Sequence, residues 1–171
     1  MRNYCLRCEQ NESEHVKHYL RTEMGLMACE AKYVRIIWKN GVRHEELRVF
    51  LPGYLFLQAD LDEDGLKTVR RLAGVKYLLG SQENGFALIG SDNAFAHFLL
   101  DQMGCIGKIR VYEKDGKLVP RPDAFGSIET EIVKVKPREG IAQVKFMLFG
   151  QEMYLWLGYV LQGKETVVAV S

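Results

Sequence analysis

The chain has 171 residues, 47% of them hydrophobic and 26% charged, with a formal net charge of +1. That composition suits one or two small folded domains; it excludes a chain disordered throughout, and it excludes a global field strong enough to drive nucleic-acid binding. No apolar run approaches bilayer length and Met1-Arg2-Asn3-Tyr4 does not read as the start of a signal peptide, so no membrane partner and a cytoplasmic location are expected.

The first element, Tyr4-Cys5-Leu6-Arg7-Cys8, alternates as a strand does. Asn11 and Glu14 have capping-box spacing, and Val16, Tyr19 and Leu20 recur at helical intervals, which predicts a helix of about three turns ended by Gly25. Cys29 to Trp38 is rich in β-branched and aromatic residues and reads as a strand. Asn40-Gly41 follows, a hairpin signal because both central residues of a type I′ turn need positive φ.

Next comes Phe50-Leu51-Pro52-Gly53-Tyr54-Leu55-Phe56-Leu57. Pro52 fixes its own φ and has no N–H, so the strand begins at an edge or a bulge, and Gly53 permits a kink. Tyr54 is thereby held at a strand's start on a fixed bend; the competing reading of the octapeptide alone is that Leu51, Tyr54 and Phe56 are plain core. Asp62, Glu63 and Asp64 open a second helix, with Leu66, Val69 and Leu72 along one side and Lys67, Arg70 and Arg71 along the other. Gly74 stops it and Val75-Lys76-Tyr77-Leu78-Leu79-Gly80 reads as a short strand. Ser91 and Asp92 are placed to cap a third helix with Phe95, Phe98, Leu99 and Met103 on its apolar face. This interspersed order implies an α+β fold, three helices layered on a mainly antiparallel sheet.

From Gly107 onward helical periodicity disappears, and short alternating runs around Ile109, Ile132, Val144 and Tyr154 are broken by Gly and Pro, as in a small β-barrel. The expected organisation is a first domain over 1–104, a linker over 105–122 and a barrel over 123–171. Lys108, Arg110, Lys114, Lys117 and Arg121 outnumber Glu113 and Asp115 in the linker, an excess suited either to phosphate or to plain solvation.

Cys5 and Cys8 form a C-x-x-C, but on a strand residues three apart face opposite ways, and no second pair completes a tetrahedral site. Cys29 and Cys105 are isolated. Free thiols, no metal and no cofactor are expected. No nucleophile elbow, phosphate-cradling loop or Ser-His-Asp spacing is visible, so an enzyme is not expected.

The octapeptide closely resembles the F-P-G-Y-[VL]-[FL]-[VI] signature of the NusG transcription-factor family, including its specialised RfaH, LoaP and UpxY-type paralogs. The likeness extends to Tyr4-Cys5-Leu6 with Glu14 and Val16, to Gly74-Val75-x-x-Leu78-Leu79-Gly80, and to Phe149-Gly150 with Pro137 and Gly140 near the end. It implies an N-terminal NGN-type domain, an antiparallel sheet with three helices, followed by a small KOW-type β-barrel with Ile128, Ile132, Val144 and Phe149 in its core. It further implies a monomeric transcription elongation or antitermination factor that binds the clamp helices of RNA polymerase and suppresses pausing or termination. Tyr4, Leu51, Pro52, Gly53, Tyr54, Phe56 and Leu79 match the polymerase-binding patch. His15, Lys17, His18 and Arg21 match a helix face that meets an exposed DNA strand. Lys108, Arg110, Arg121, Lys134 and Lys145 are the expected contacts to nascent RNA or to a ribosomal protein or termination factor.

The departures are as specific. Asn3 stands where the family has Trp, Leu51 where it has Phe, and Ser127 and Thr130 where the barrel's naming glycines fall. Such drift points to an operon-specific paralog; the alternative function is a ribosome-associated or RNA-binding KOW protein that never meets polymerase.

Overall fold

The alternating residues of the first segment pair as the sequence implies. In the computed structural model, which describes residues 1–164, the chain divides into two compact units, Met1–Lys32 with Val49–Ile106, and Tyr33–Arg48 with the chain from Gly107. Elements of the first unit are β1 (Arg2–Cys8), α1 (Ser13–Thr22), β2 (Met27–Cys29), β5 (Tyr54–Ala59), α2 (Glu63–Arg70), β6 (Val75–Leu78), a short 3-10 turn (Gln82–Asn84) and α3 (Gly90–Asp101), then β7 (Cys105–Ile106). Between β2 and β5 lie β3 (Lys32–Lys39) and β4 (Val42–Val49), the Asn-Gly hairpin.

The first unit's sheet runs β2-β5-β1-β6 with β1 antiparallel to both neighbours. Alternation divides its side chains between two faces. Tyr4, Leu6, Cys8, Leu55, Leu57 and Ala59 join Val16 and Leu20 of α1 and Val69 of α2 in one apolar core. Cys5 and Phe56 point the other way, where Phe95 of α3 meets Phe56 edge to face with ring centroids 5.5 Å apart. Helices pack on both faces, and burial of these side chains at roughly 1.5–3 kcal/mol apiece is the main stabilising contribution.

The second unit adds β8 (Ile109–Lys114), β9 (Lys117–Pro120), β10 (Ala124–Ser127), β11 (Glu131–Lys136), β12 (Ile141–Leu148) and β13 (Gln151–Lys164). Five of these form a sheet in the order β11-β12-β13-β8-β9, the curled half of a KOW-like barrel. Ile128, Val144, Leu155 and Leu157 are buried in it, whereas Ile132 and Phe149 are half-buried. Trp38 of the hairpin donates its indole N–H to the Glu139 carbonyl at 3.1 Å.

Four expectations need correction. Residues 105–122 are not a bare linker: Ile109 and Val111 are buried, and β8 pairs in parallel with β13. The single strand expected from Cys29 to Trp38 is broken at Glu30-Ala31, where the Ala31 carbonyl accepts from the Phe50 amide. Asn11 takes a left-handed φ of 64° in the preceding turn, so Glu12 becomes the α1 N-cap and no capping box closes. Ser91 and Asp92 fall inside the first turn of α3, which Ile89 caps without a side-chain bond. The expected barrel's last residues, 165–171, lie outside the described residues.

Candidate protein-docking face

The helix α3 covers only part of its face of the sheet. Beyond its Phe95 contact, the register places Tyr77 of β6, Arg7 of β1 and Tyr54 of β5 side by side in one row across three strands. Arg7 and Tyr54 are half-buried, and Tyr77 is 49% exposed. The Arg7 guanidinium lies over the Tyr54 ring, its carbon 4.8 Å from the centroid, a cation–π contact.

The turn before β5 is tied to the same arginine. Arg7 Nη1 donates to the Pro52 carbonyl at 2.7 Å, the Cys8 amide donates to the Gly53 carbonyl at 2.7 Å, and the Tyr54 amide donates to the Leu51 carbonyl at 3.2 Å. Leu51 and Gly53 both take positive φ, 63° and 84°. A left-handed Leu costs about 1 kcal/mol or more, and these three bonds hold it. Leu51, half-buried, and Pro52, exposed, therefore sit on a fixed bend beside the row, with Leu79 half-buried just after β6.

The other residues expected in the patch fall elsewhere. Tyr4 is fully buried on the opposite face, across from Leu57, and its hydroxyl is buried with no hydrogen-bond partner among the described residues. Phe56 lies on the correct face but is fully buried beneath α3. Both support the patch from within; neither is presented. Arg7 and Tyr77 were missing from the expected set although strand parity with Tyr54 points to Arg7.

Beside Tyr77, an open hollow of about 400 Å³ is lined by Lys67, Arg70, Arg71 and Lys76. Lys67 pairs with Glu63 at 3.6 Å and Arg70 lies over Phe86, while Arg71 and Lys76 meet no carboxylate at ion-pair distance among the described residues. The β6 edge of the sheet beside Tyr77 is electropositive.

On α1, His15 and His18 face solvent, but the other two expected DNA contacts are engaged internally. Lys17 reaches Glu14 at 2.7 Å and Glu30 at 3.6 Å, and Arg21 donates to the Ala28 carbonyl at 2.7 Å. In the second unit, Lys108 pairs with Glu45, Arg110 with Asp123 and Lys145 with Glu131, and Arg121 lies over Tyr112. Lys134 is exposed on the outer side of β11, next to Lys136, which sits 4.9 Å over Trp156.

The Glu14–Lys17–Glu30 cluster has a pH signature. Burial, then the hydrogen bond to Glu14, raises the Glu30 carboxyl, and that bond with Lys17 holds Glu14 down at about 2. Glu30 contributes stability that is complete below the ordinary carboxylate range and is lost as pH rises through its raised value. Glu14 contributes stability above the ordinary carboxylate range and loses it as pH falls toward 2. Melting followed against pH is expected to fall from mildly acid toward neutral in the natural protein and to flatten in Glu30→Gln, whose amide imitates the protonated acid. An unchanged profile would count against the shared proton.

Burial also pushes the Cys8 and Cys29 thiols up to about 11, and raises Cys5. Cys105, half-buried, is expected to be alkylated first at neutral pH, as mass spectrometry after brief iodoacetamide treatment would show.

The family model of NusG, described as transcription termination factor nusG, matches residues 1–95. The chain belongs to the NusG family. A solved structure of NusG from Thermotoga maritima, titled for its domain interaction, aligns with a TM-score of 0.54 at 18% identity, covering 92% of this chain and 93% of that one. At that identity it shows the fold, an N-terminal NusG domain followed by a KOW-like β unit. No curated protein matches the chain in sequence. As a NusG-family chain it falls among transcription elongation and termination factors, and among the described residues no helix is long and apolar enough to cross a membrane.

Proposed function

We propose that this NusG-family protein binds RNA polymerase through the open part of the first unit's sheet and promotes elongation through pause or termination sites of particular operons. The observation that carries the reading is the uncovered row Tyr77–Arg7–Tyr54 beside the fixed Leu51–Gly53 bend, an amphipathic surface on a rigid sheet. A helix pair such as the polymerase clamp helices fits it, since aromatic rings give large contact area at little entropic cost. Restriction to particular operons is argued from Leu51, Ser127 and Thr130, where the family's usual residues are replaced. The second unit would meet nascent RNA or a ribosomal or termination partner, with Lys134 and the Lys136–Trp156 pair as the most available contacts.

The test is retention of core RNA polymerase by the immobilised protein and by its Tyr54→Ala variant. The natural protein is expected to retain polymerase and the variant to lose roughly 30-fold or more in affinity. Failure of the natural protein to bind would refute the reading and favour an RNA-binding KOW protein.

A further inference from the structure

A patch built for apolar packing alone has no need of a guanidinium at its centre. Arg7 nevertheless occupies the middle strand of the row, flanked by Tyr54 and Tyr77 and half-buried between them. Its position is fixed twice, by the 2.7 Å bond to Pro52 and by the Tyr54 ring 4.8 Å beneath it. An arginine has five N–H donors, and one serves the turn. Gly53 confirms how closely the group is fitted: a Cβ there would meet Arg7 Nη1, and the carbonyl of Cys8 lies 3.7 Å away.

When a partner covers this face, Arg7 loses water. A desolvated guanidinium with unsatisfied donors is costly, whereas one that meets a carboxylate in a planar fork is favourable and selective. The surroundings reinforce the same sign, since Lys67, Arg70, Arg71 and Lys76 gather beside Tyr77. Acidic groups nearby are fewer: Glu9 and Glu30 line the groove that Arg7 and Lys76 share on the Pro52 side, and Glu63 is paired with Lys67. A nucleic-acid backbone would satisfy the charges, but it would gain little from half-buried Leu51 and Leu79.

We infer that Arg7 is a specificity-determining residue of the docking face, selecting a protein helix that places an Asp or Glu carboxylate against the Tyr54–Arg7–Tyr77 row. The inference rests on the polymerase reading and narrows it: the helices that bind here must carry an acidic residue at the centre of their contact. Arg7 also positions the Leu51–Gly53 turn, so loss of charge and loss of the turn have to be separated.

The experiment measures affinity for core RNA polymerase at several salt concentrations for the natural protein, Arg7→Met, Arg7→Lys and Arg7→Glu, with melting followed for each. Arg7→Met keeps the apolar stem and is expected to weaken binding roughly 10- to 100-fold with a flatter salt dependence. Arg7→Lys keeps the charge without the fork and should fall between. Arg7→Glu should abolish binding, and a carboxylate-to-lysine exchange in the polymerase helices should restore it, which repair of the turn alone would not do. If the natural protein binds polymerase but Arg7→Met binds equally well with the same salt slope, the inference is wrong and the docking reading survives. Rescue absent at every acidic residue of the helices also overturns it, as does loss of binding in Arg7→Met that tracks added single-stranded DNA or RNA. If the natural protein does not bind polymerase, both fall together.

Discussion

Phe56→Ala is expected to destabilise the first unit by about 3–5 kcal/mol, the range for removing a fully buried ring from a core that cannot collapse around the gap. Phe56 is 0% exposed and meets Phe95 of α3 edge to face, so truncation loses apolar burial and an aromatic contact together. Tyr54, two residues earlier on the same face, is only half-buried beneath Arg7, and its truncation should cost stability about 1 kcal/mol or less while costing the interaction. Both tryptophans lie in the second unit, so hydrogen exchange at the β1 and β5 amides is the appropriate measure. A loss for Phe56→Ala below about 1 kcal/mol would show that α3 does not hold the sheet as described.

Gly104→Ala should cost about 2–4 kcal/mol, combining backbone strain with a collision that has no soft partner. Gly104 has a φ of +84°, and a Cβ there would stand 2.8 Å from the Glu30 carbonyl oxygen and 3.0 Å from the Cys29 Cβ. The Gly104 carbonyl accepts from the Lys32 amide at 2.8 Å, so this glycine also anchors the chain after the break at Glu30-Ala31. Gly25 is the internal control: its φ is +65° but a Cβ would meet nothing within 4 Å, so Gly25→Ala should cost about 1 kcal/mol. Urea unfolding of the two variants would separate strain from collision, and equal losses would contradict the packing at Gly104.

Much of this was legible because it depends on local chemistry. Asn40 and Gly41 both adopt the positive φ, 52° and 73°, that the Asn-Gly dipeptide signals, and Asp62 caps α2 by accepting from the Gly65 amide. The Pro52-Gly53 bend was legible for the same reason. What local pattern does not encode is which stretch of a sheet face a helix will cover. Strand parity separates Tyr4 from Tyr54, but nothing in the period distinguishes Phe56, under Phe95, from Tyr54, beyond it.

The alternation at Ile109–Val111 was visible, but its place in a sheet was not, because β8 finds its partner in β13, some fifty residues further on, and that pairing is parallel. The capping box at Asn11 failed because a turn needing positive φ claimed the residue first. The expected cation sites were weakened by partners remote in sequence: Lys17 is drawn to Glu30, and Lys108 to Glu45. Charge counts alone do not show which cations already have one.

The most direct measurement is photo-crosslinking from a benzophenone side chain placed at Tyr77, with the same group at Tyr154 in the second unit as comparison, in the presence of core RNA polymerase. Tyr77 and Tyr154 are about equally exposed, 49% and 47%, so reactivity alone does not separate them. Position 77 is expected to crosslink to polymerase and to lose that crosslink when Tyr54→Ala is added. Crosslinking to polymerase from position 154 and none from 77 would contradict it.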